Sequence, residues 1–282
     1  MLKREEIRIR DPFILTDKEN GCYYMYGTTA LDKGCLQARN TFTMYKSYDL
    51  EGFEDGVVVL DGEKLGFWAD RDYWAPEVHY YNGKYYLFGS CIAEGENRLT
   101  QIFVSDKPEG EFVPLSPEAR TPKDWVCLDG TLYVENEVPY MVFSREWIQV
   151  LDGEMWAVEL SPDLTKRVGE PFKLFSASEA KDVTEYGGIK GAYITDGPFM
   201  YHENGKLCMM WSSFNMGRYV VLIAQSDSIK GKWTHLGSQF DFCGGHAMLF
   251  ESLEGKRMIS LHSPNTADLE RAQFFDYKIK SF

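Results

Sequence analysis

The 282-residue chain has no run of 18 apolar residues, so no stretch reads as a membrane-spanning helix. Its six cysteines, Cys22, Cys35, Cys91, Cys127, Cys208 and Cys243, never fall in CxxC spacing. That argues against a zinc ribbon or a redox pair and for buried, reduced thiols rather than disulfides. Basic residues are in the minority, with 30 Lys and Arg against 43 Asp and Glu and a net charge of -13. A polyanion would be repelled, so neither nucleic acid nor an anionic membrane is expected as a partner. The opening MLKREEIRIRDPF lacks an apolar core and a small-residue cleavage site. The expectation is therefore a cytoplasmic protein, with a trimmed secreted form as the alternative. Long helical periodicity is almost absent, and no signal for an oligomeric state stands out.

What the chain has instead is short aromatic and β-branched runs. Hydrophobic residues make up 44% and aromatics 15%, enough for a large core and suited to sheets or to stacking on carbohydrate. Hairpin turns are marked by Asn20-Gly21, Asn82-Gly83, Asn204-Gly205 and Glu254-Gly255, with Glu135-Asn136-Glu137 in the same role. The runs RDPFIL, APEVHYY, LDGTLYV, TDGPFMYH and GGHAMLF each open a set of three or four such strands. Repeats of four short strands roughly 40–50 residues or more apart indicate propeller blades. The expected fold is all-β: one five-bladed β-propeller over residues 1–282, with four antiparallel strands per blade. The last set has three clear strands, so the N-terminal segment around Glu5–Arg10 is expected to supply the fourth and close the ring.

In a propeller the first strands line the axis and start at one end. Asp11, Glu77, Asp129, Asp196 and His246 head those strands and would crowd one mouth. The second strands end there too, bringing Thr28, Ser90, Ser144 through Trp147, Ser212 through Phe214, and His262. An Asp in an Asp-Gly or Asp-Pro turn is ordinarily turn chemistry. Several acids at one mouth are costly to ionise together, which gives their gathering a chemical purpose. Glycoside hydrolysis fits: one carboxylic acid protonates the leaving oxygen and one carboxylate activates water. His246 is read either as a hydrogen-bonded core residue or as a ligand to a metal ion or an axial water.

These motifs, once per blade along the whole chain, resemble glycoside hydrolase family 43, the propeller hydrolases of arabinan and xylan side chains. The resemblance implies Asp11 as the general base that activates water. It implies Asp129 as the carboxylate that raises the pKa of the acid and orients it. Asp196 falls where the family has its general-acid Glu. Aspartate is one methylene shorter, so Glu146, at the end of the neighbouring blade's second strand, is the second candidate acid. His246 matches a histidine that in some members accompanies a central ion, often calcium, although no cofactor is expected to be required. The family inverts anomeric configuration, which sets base and acid about 6.5–9.5 Å apart. Trp74, Trp147 and Phe214 are expected to stack on sugar, while Arg10, Arg145 and Glu77 bind hydroxyls or hold the acids. The expected activity is removal of arabinofuranosyl or xylosyl units from oligosaccharides. The alternative is a non-catalytic carbohydrate-binding propeller that kept the fold after losing the usual acid.

Overall fold

A computed structural model describes residues 1–29, 40–238, 240 and 243–277. It is a five-bladed β-propeller, built from five separate antiparallel sheets. The first strands of successive sheets are Ile9–Asp17, Arg71–Tyr81, Cys127–Glu135, Asp196–Glu203 and Gly245–Glu251. Each packs against the next, and the last packs against the first. Sheets two, three and four have four strands, and the first has six. Among the described residues helix is confined to single turns such as Trp147–Val150.

The turn chemistry explains the hairpins. Asn82-Gly83 and Asn204-Gly205 have both residues at positive φ, as a two-residue hairpin turn requires. The third blade forces Asn136 and Glu137 into the same geometry, at φ 50° and 68°. Between blades the core is aromatic. Trp211 is fully buried against Phe175 of the preceding blade, with ring centroids 5.3 Å apart. Truncating a side chain of that size to Ala costs about 3–5 kcal/mol. Cys22, Cys91, Cys127 and Cys208 are buried and unpaired, as expected, and Cys243 is unpaired but only half-buried; Cys35 lies outside the described residues.

One expectation needs correcting. The segment Glu5–Arg10 does not add a fourth strand to the last blade, which has three strands among the described residues. Leu2–Lys3 pairs instead with Gly52–Phe53 at the outer edge of blade one. The N-terminal segment joins last blade to first through loop hydrogen bonds. The Ile9 amide donates to the Glu270 carbonyl at 3.3 Å, and Arg271 Nε donates to the Glu5 carbonyl at 2.6 Å. The reason is local: Arg4–Glu6 forms a tight turn closed by Glu6 on the Lys3 amide, and this ends the extended backbone a strand needs.

Every first strand carries a two-residue bulge against its second strand. Pairing breaks between Arg10 and Phe13, Trp74 and Glu77, Leu128 and Thr131, Asp196 and Phe199, and Gly245 and Met248. The first residue of each bulge is left-handed: Asp11, Ala75, Asp129, Gly197 and His246, at φ 46–55°. Such bulges re-aim side chains and end pairing. The heads therefore form a ring in register, but not the one expected. Asp196 sits one residue before its bulge and Glu77 two residues after the start of its own. Aligning the chain on Pro12, Pro76 and Pro198 gives the observed register.

Candidate active site

The bulge ring is tied together blade to blade. The Ala75 amide donates to Thr28 Oγ1 at 2.8 Å, Asp129 to Ser90 Oγ at 2.8 Å, and His246 to Ser212 Oγ at 2.8 Å. The Asp11 amide closes the ring on His262 Nδ1 at 3.2 Å. These four acceptors sit opposite the residue before each bulge, on the second strand of the preceding blade. Blade four breaks the pattern. Ser144 bonds Thr195 instead, and the Gly197 amide donates to Asp129 Oδ2 at 2.9 Å.

The charged side chains of the ring meet at His246. Its Nδ1 lies 3.2 Å from Asp11 Oδ1 and 3.8 Å from Asp129 Oδ2. Asp11 and Asp129 are 9% and 6% exposed, so their charges depend on these partners. Burial opposes ionisation of Asp11, but the charges of His246 and Arg10 outweigh it and hold the carboxyl well below its usual range. Thr28 Oγ1 adds a hydrogen bond to Asp11 Oδ2 at 3.1 Å. Asp129 goes the other way, pushed up to about 6 by burial and the charge of Asp11 against the pull of His246. The imidazole of His246 is raised, burial being overcome by Asp11 and Asp129.

Asp196 is half-buried beside this cluster, with Tyr219 Oη donating to its Oδ2 at 3.2 Å. Burial and then the charges of Asp129 and Glu146 push its carboxyl up to about 8. Glu146 is raised to about 7 by burial and Asp129, with Arg98 acting against them. The cluster thus separates one firmly ionised carboxylate, Asp11, from two carboxyls that hold protons near neutrality. That division is what acid–base catalysis by paired carboxyls needs.

The other expected residues distribute unevenly. Trp147 and Phe214 belong to one aromatic wall, Trp147–Tyr186–Phe214–Tyr219, with successive centroids 5.3, 4.7 and 5.2 Å apart. Trp74 lies across the mouth with the Arg98 guanidinium 3.3 Å from its ring centroid. Glu77 is buried and takes His79 Nε2 at 3.0 Å, below the bulge ring. Arg145 turns outward: it lies over Trp125 at 4.0 Å, bonds Gln149 at 3.0 Å and pairs with Glu154 at 3.8 Å. Those contacts do not bring it into the carboxylate cluster. Arg98, Tyr219 and Glu270 are not marked by the sequence, whereas His262 lies at the mouth as expected. The three sit at the entrances of third strands, where no motif marks them.

For a central cation the donor set decides. Among the described residues no three His, Cys, Asp or Glu side chains converge as a ligand group. His246 Nδ1 is engaged with Asp11 and Asp129.

Residues 6–276 match the family described as Glycosyl hydrolases family 43. A probable arabinan endo-1,5-alpha-L-arabinosidase C of Aspergillus fumigatus is 25% identical over 51% of this chain and 44% of its own length. A xylosidase/arabinosidase of Bacteroides ovatus is 23% identical over 77% of this chain and 74% of its own. The chain spans about half the length of the first curated relatives it matches. Among solved structures, the endo-arabinase of Bacteroides thetaiotaomicron has a TM-score of 0.90 at 39% identity, covering 99% of this chain and 98% of that one.

Proposed function

The chain belongs to glycosyl hydrolases family 43, and from that premise we propose that it hydrolyses arabinose- or xylose-containing glycans with inversion. Arabinan-derived chains are the first choice, because the relative at 39% identity is called an endo-arabinase. Asp11, ionised and held by His246 and Thr28, takes a proton from the attacking water. Asp196, carrying its proton near neutrality, gives it to the leaving glycosidic oxygen. Asp129 raises Asp196 through its charge and is itself fixed by Ser90 and Gly197. After one turnover the base holds a proton and the acid has lost one, and exchange with solvent restores both.

The observation that carries this reading is the gathering of Asp11 and Asp129 on His246, with Asp196 beside them on Tyr219, at one mouth of the propeller. Burial and neighbouring charges there lower the Asp11 carboxyl and raise that of Asp196. Asp11→Asn should lower the rate on linear arabino-oligosaccharides by about 10²–10⁴-fold. Full activity in Asp11→Asn would remove the base assignment. Absence of any turnover of arabino- or xylo-oligosaccharides by the native protein would remove the activity.

The short side chain at position 196 favours one second reading, a carbohydrate-binding propeller without turnover. Saturable binding of the same oligosaccharides with no cleavage over days would establish it, and a rate abolished by Asp196→Ala or Glu146→Gln would exclude it.

A further inference from the structure

Just before each bulge, the register places Arg10, Trp74, Leu128, Asp196 and Gly245 at equivalent positions around the mouth. Three of these carry side chains able to meet a sugar, and each of the three is held by a residue at the entrance to a third strand. Tyr219 holds Asp196 by a hydrogen bond, and Arg98 lies against the face of Trp74. Glu270, from the last blade, holds Arg10 of the first: Arg10 Nη1 donates to Glu270 Oε1 at 3.1 Å. The Tyr219 and Arg98 contacts stay within one blade, whereas the third crosses the seam where the ring closes.

Glu270 is unusual among the acids of the chain. Its side chain is 1% exposed, and its Oε2 has no hydrogen-bond partner, with Arg8 Nε 3.9 Å away. A carboxylate so deeply buried is costly unless a cation pairs with it. Its partner is the opposite case: 34% of the Arg10 side chain remains open, next to Asp11 and Tyr219. A guanidinium presents its donors in a rigid fork, so fixing one amino group fixes the direction of the rest. An unheld guanidinium at this point would turn toward the neighbouring Asp11 carboxylate and compete for the base.

We propose that Glu270 is a positioning residue, which aims the free N–H groups of Arg10 at adjacent hydroxyls of the bound sugar and keeps that guanidinium off Asp11. The proposal rests on the glycosidase reading above for the identity of the ligand. Its structural part, that Glu270 sets the orientation of Arg10, stands independently.

The test is a cycle of Glu270→Gln, Arg10→Ala and the double variant on linear arabino-oligosaccharides, with xylo-oligosaccharides in parallel. Glu270→Gln keeps size and hydrogen-bonding capacity and removes the charge. It should raise KM about tenfold, the equivalent of one well-placed charged hydrogen bond, and change kcat by less than about threefold. On the Arg10→Ala background the same substitution should raise KM no further. A seam latch without a positioning role would lower Tm, leave KM unchanged and add to Arg10→Ala; unchanged KM or additive effects overturn the proposal. A crystal structure of Glu270→Ala, which removes the acceptor itself, gives a readout that needs no activity: the Arg10 guanidinium should leave its native position, and finding it unmoved overturns the proposal. If the native protein turns over no pentose oligosaccharide, the glycosidase reading fails on that result, while the crystal structure still decides the positioning role.

Discussion

Gly197 donates its amide to Asp129 Oδ2 at 2.9 Å, and the space above its Cα is filled by the ring of His246. A Cβ built at 197 would stand 2.8 Å from His246 Cγ, on a backbone at φ 52° that side chains other than glycine rarely adopt. The residue that follows Asp196 is therefore the contact that holds the imidazole and the central carboxylate at their spacing.

Gly197→Ala is expected to be a rate mutation more than a folding one. The left-handed backbone costs about 1–3 kcal/mol, which lowers Tm by several degrees. The His246 ring must also shift, and with it the contacts by which its Nδ1 holds Asp11 and Asp129. A misplacement of about 1 Å can cost about 10²-fold in rate. Steady-state kcat and a thermal melt, taken together, check this; a melt shifted without a fall in kcat would show that the His246 spacing is not used.

Asp196 and Glu146 compete for the role of acid, and leaving-group chemistry separates them. An acid that protonates the leaving oxygen matters little when the leaving group is already acidic. The variant of the true acid should lose far more rate on an arabino-oligosaccharide than on an aryl arabinofuranoside. We expect that of Asp196→Asn, with Glu146→Gln affecting both substrates alike. In the native protein kcat/KM should fall as pH rises through about 8, where Asp196 loses its proton. On the acidic side Asp11 should set no limb in the usual carboxylate range, because it is held ionised well below that range. Any acidic fall should come near pH 6, where Asp129 takes up a proton and its charge on Asp196 is lost. An alkaline limb that persists in Asp196→Asn and vanishes in Glu146→Gln would reverse the assignment.

The same shift has a signature in stability. The Asp196 carboxyl is raised in the fold from 3.8 to about 8 by burial, Asp129 and Glu146, so the folded protein binds that proton more tightly than the unfolded chain. A raised acid contributes stability below its unfolded value, and the contribution is lost as pH rises through the folded value. Asn cannot ionise, so Asp196→Asn should melt higher than the native protein at pH 9. The gap should narrow steadily toward pH 4. Parallel melting curves across that range check it; a gap independent of pH would mean that Asp196 is not held protonated.

Much of the architecture was legible because β-propeller strands announce themselves. Tyr-rich runs broken by Asn-Gly turns located the inner hairpins of blades one, two and four, and Asp11, Asp129 and His246 fall near the starts of inner strands as expected. What was not legible is register. A bulge adds a residue without changing composition, so Glu77 and Asp196 looked equivalent to Asp11 while standing two residues after and one before that position. The N-terminal segment does join the last blade to the first, as expected, but by loop hydrogen bonds and not as a fourth strand, because the turn at Arg4–Glu6 interrupts it. Arg98 and Glu270 were invisible because their partners, Trp74 and Arg10, are distant in sequence and nothing local demands a charge there.

Thr28 links the frame of the ring to its chemistry through one hydroxyl. It accepts the Ala75 amide at 2.8 Å and donates to Asp11 Oδ2 at 3.1 Å. Thr28→Val keeps the shape and removes both bonds, leaving a buried amide without a partner at a cost of about 1–3 kcal/mol. The Asp11 carboxylate loses a donor, so its pKa rises and its aim loosens. Thr28→Ser keeps both bonds and gives up only a methyl group. The expected order in kcat and in denaturant midpoint is native, then Ser close behind, then Val well below on both scales. If Val loses stability but keeps the native kcat, the hydroxyl serves the blade junction alone, and the orientation of Asp11 comes from His246.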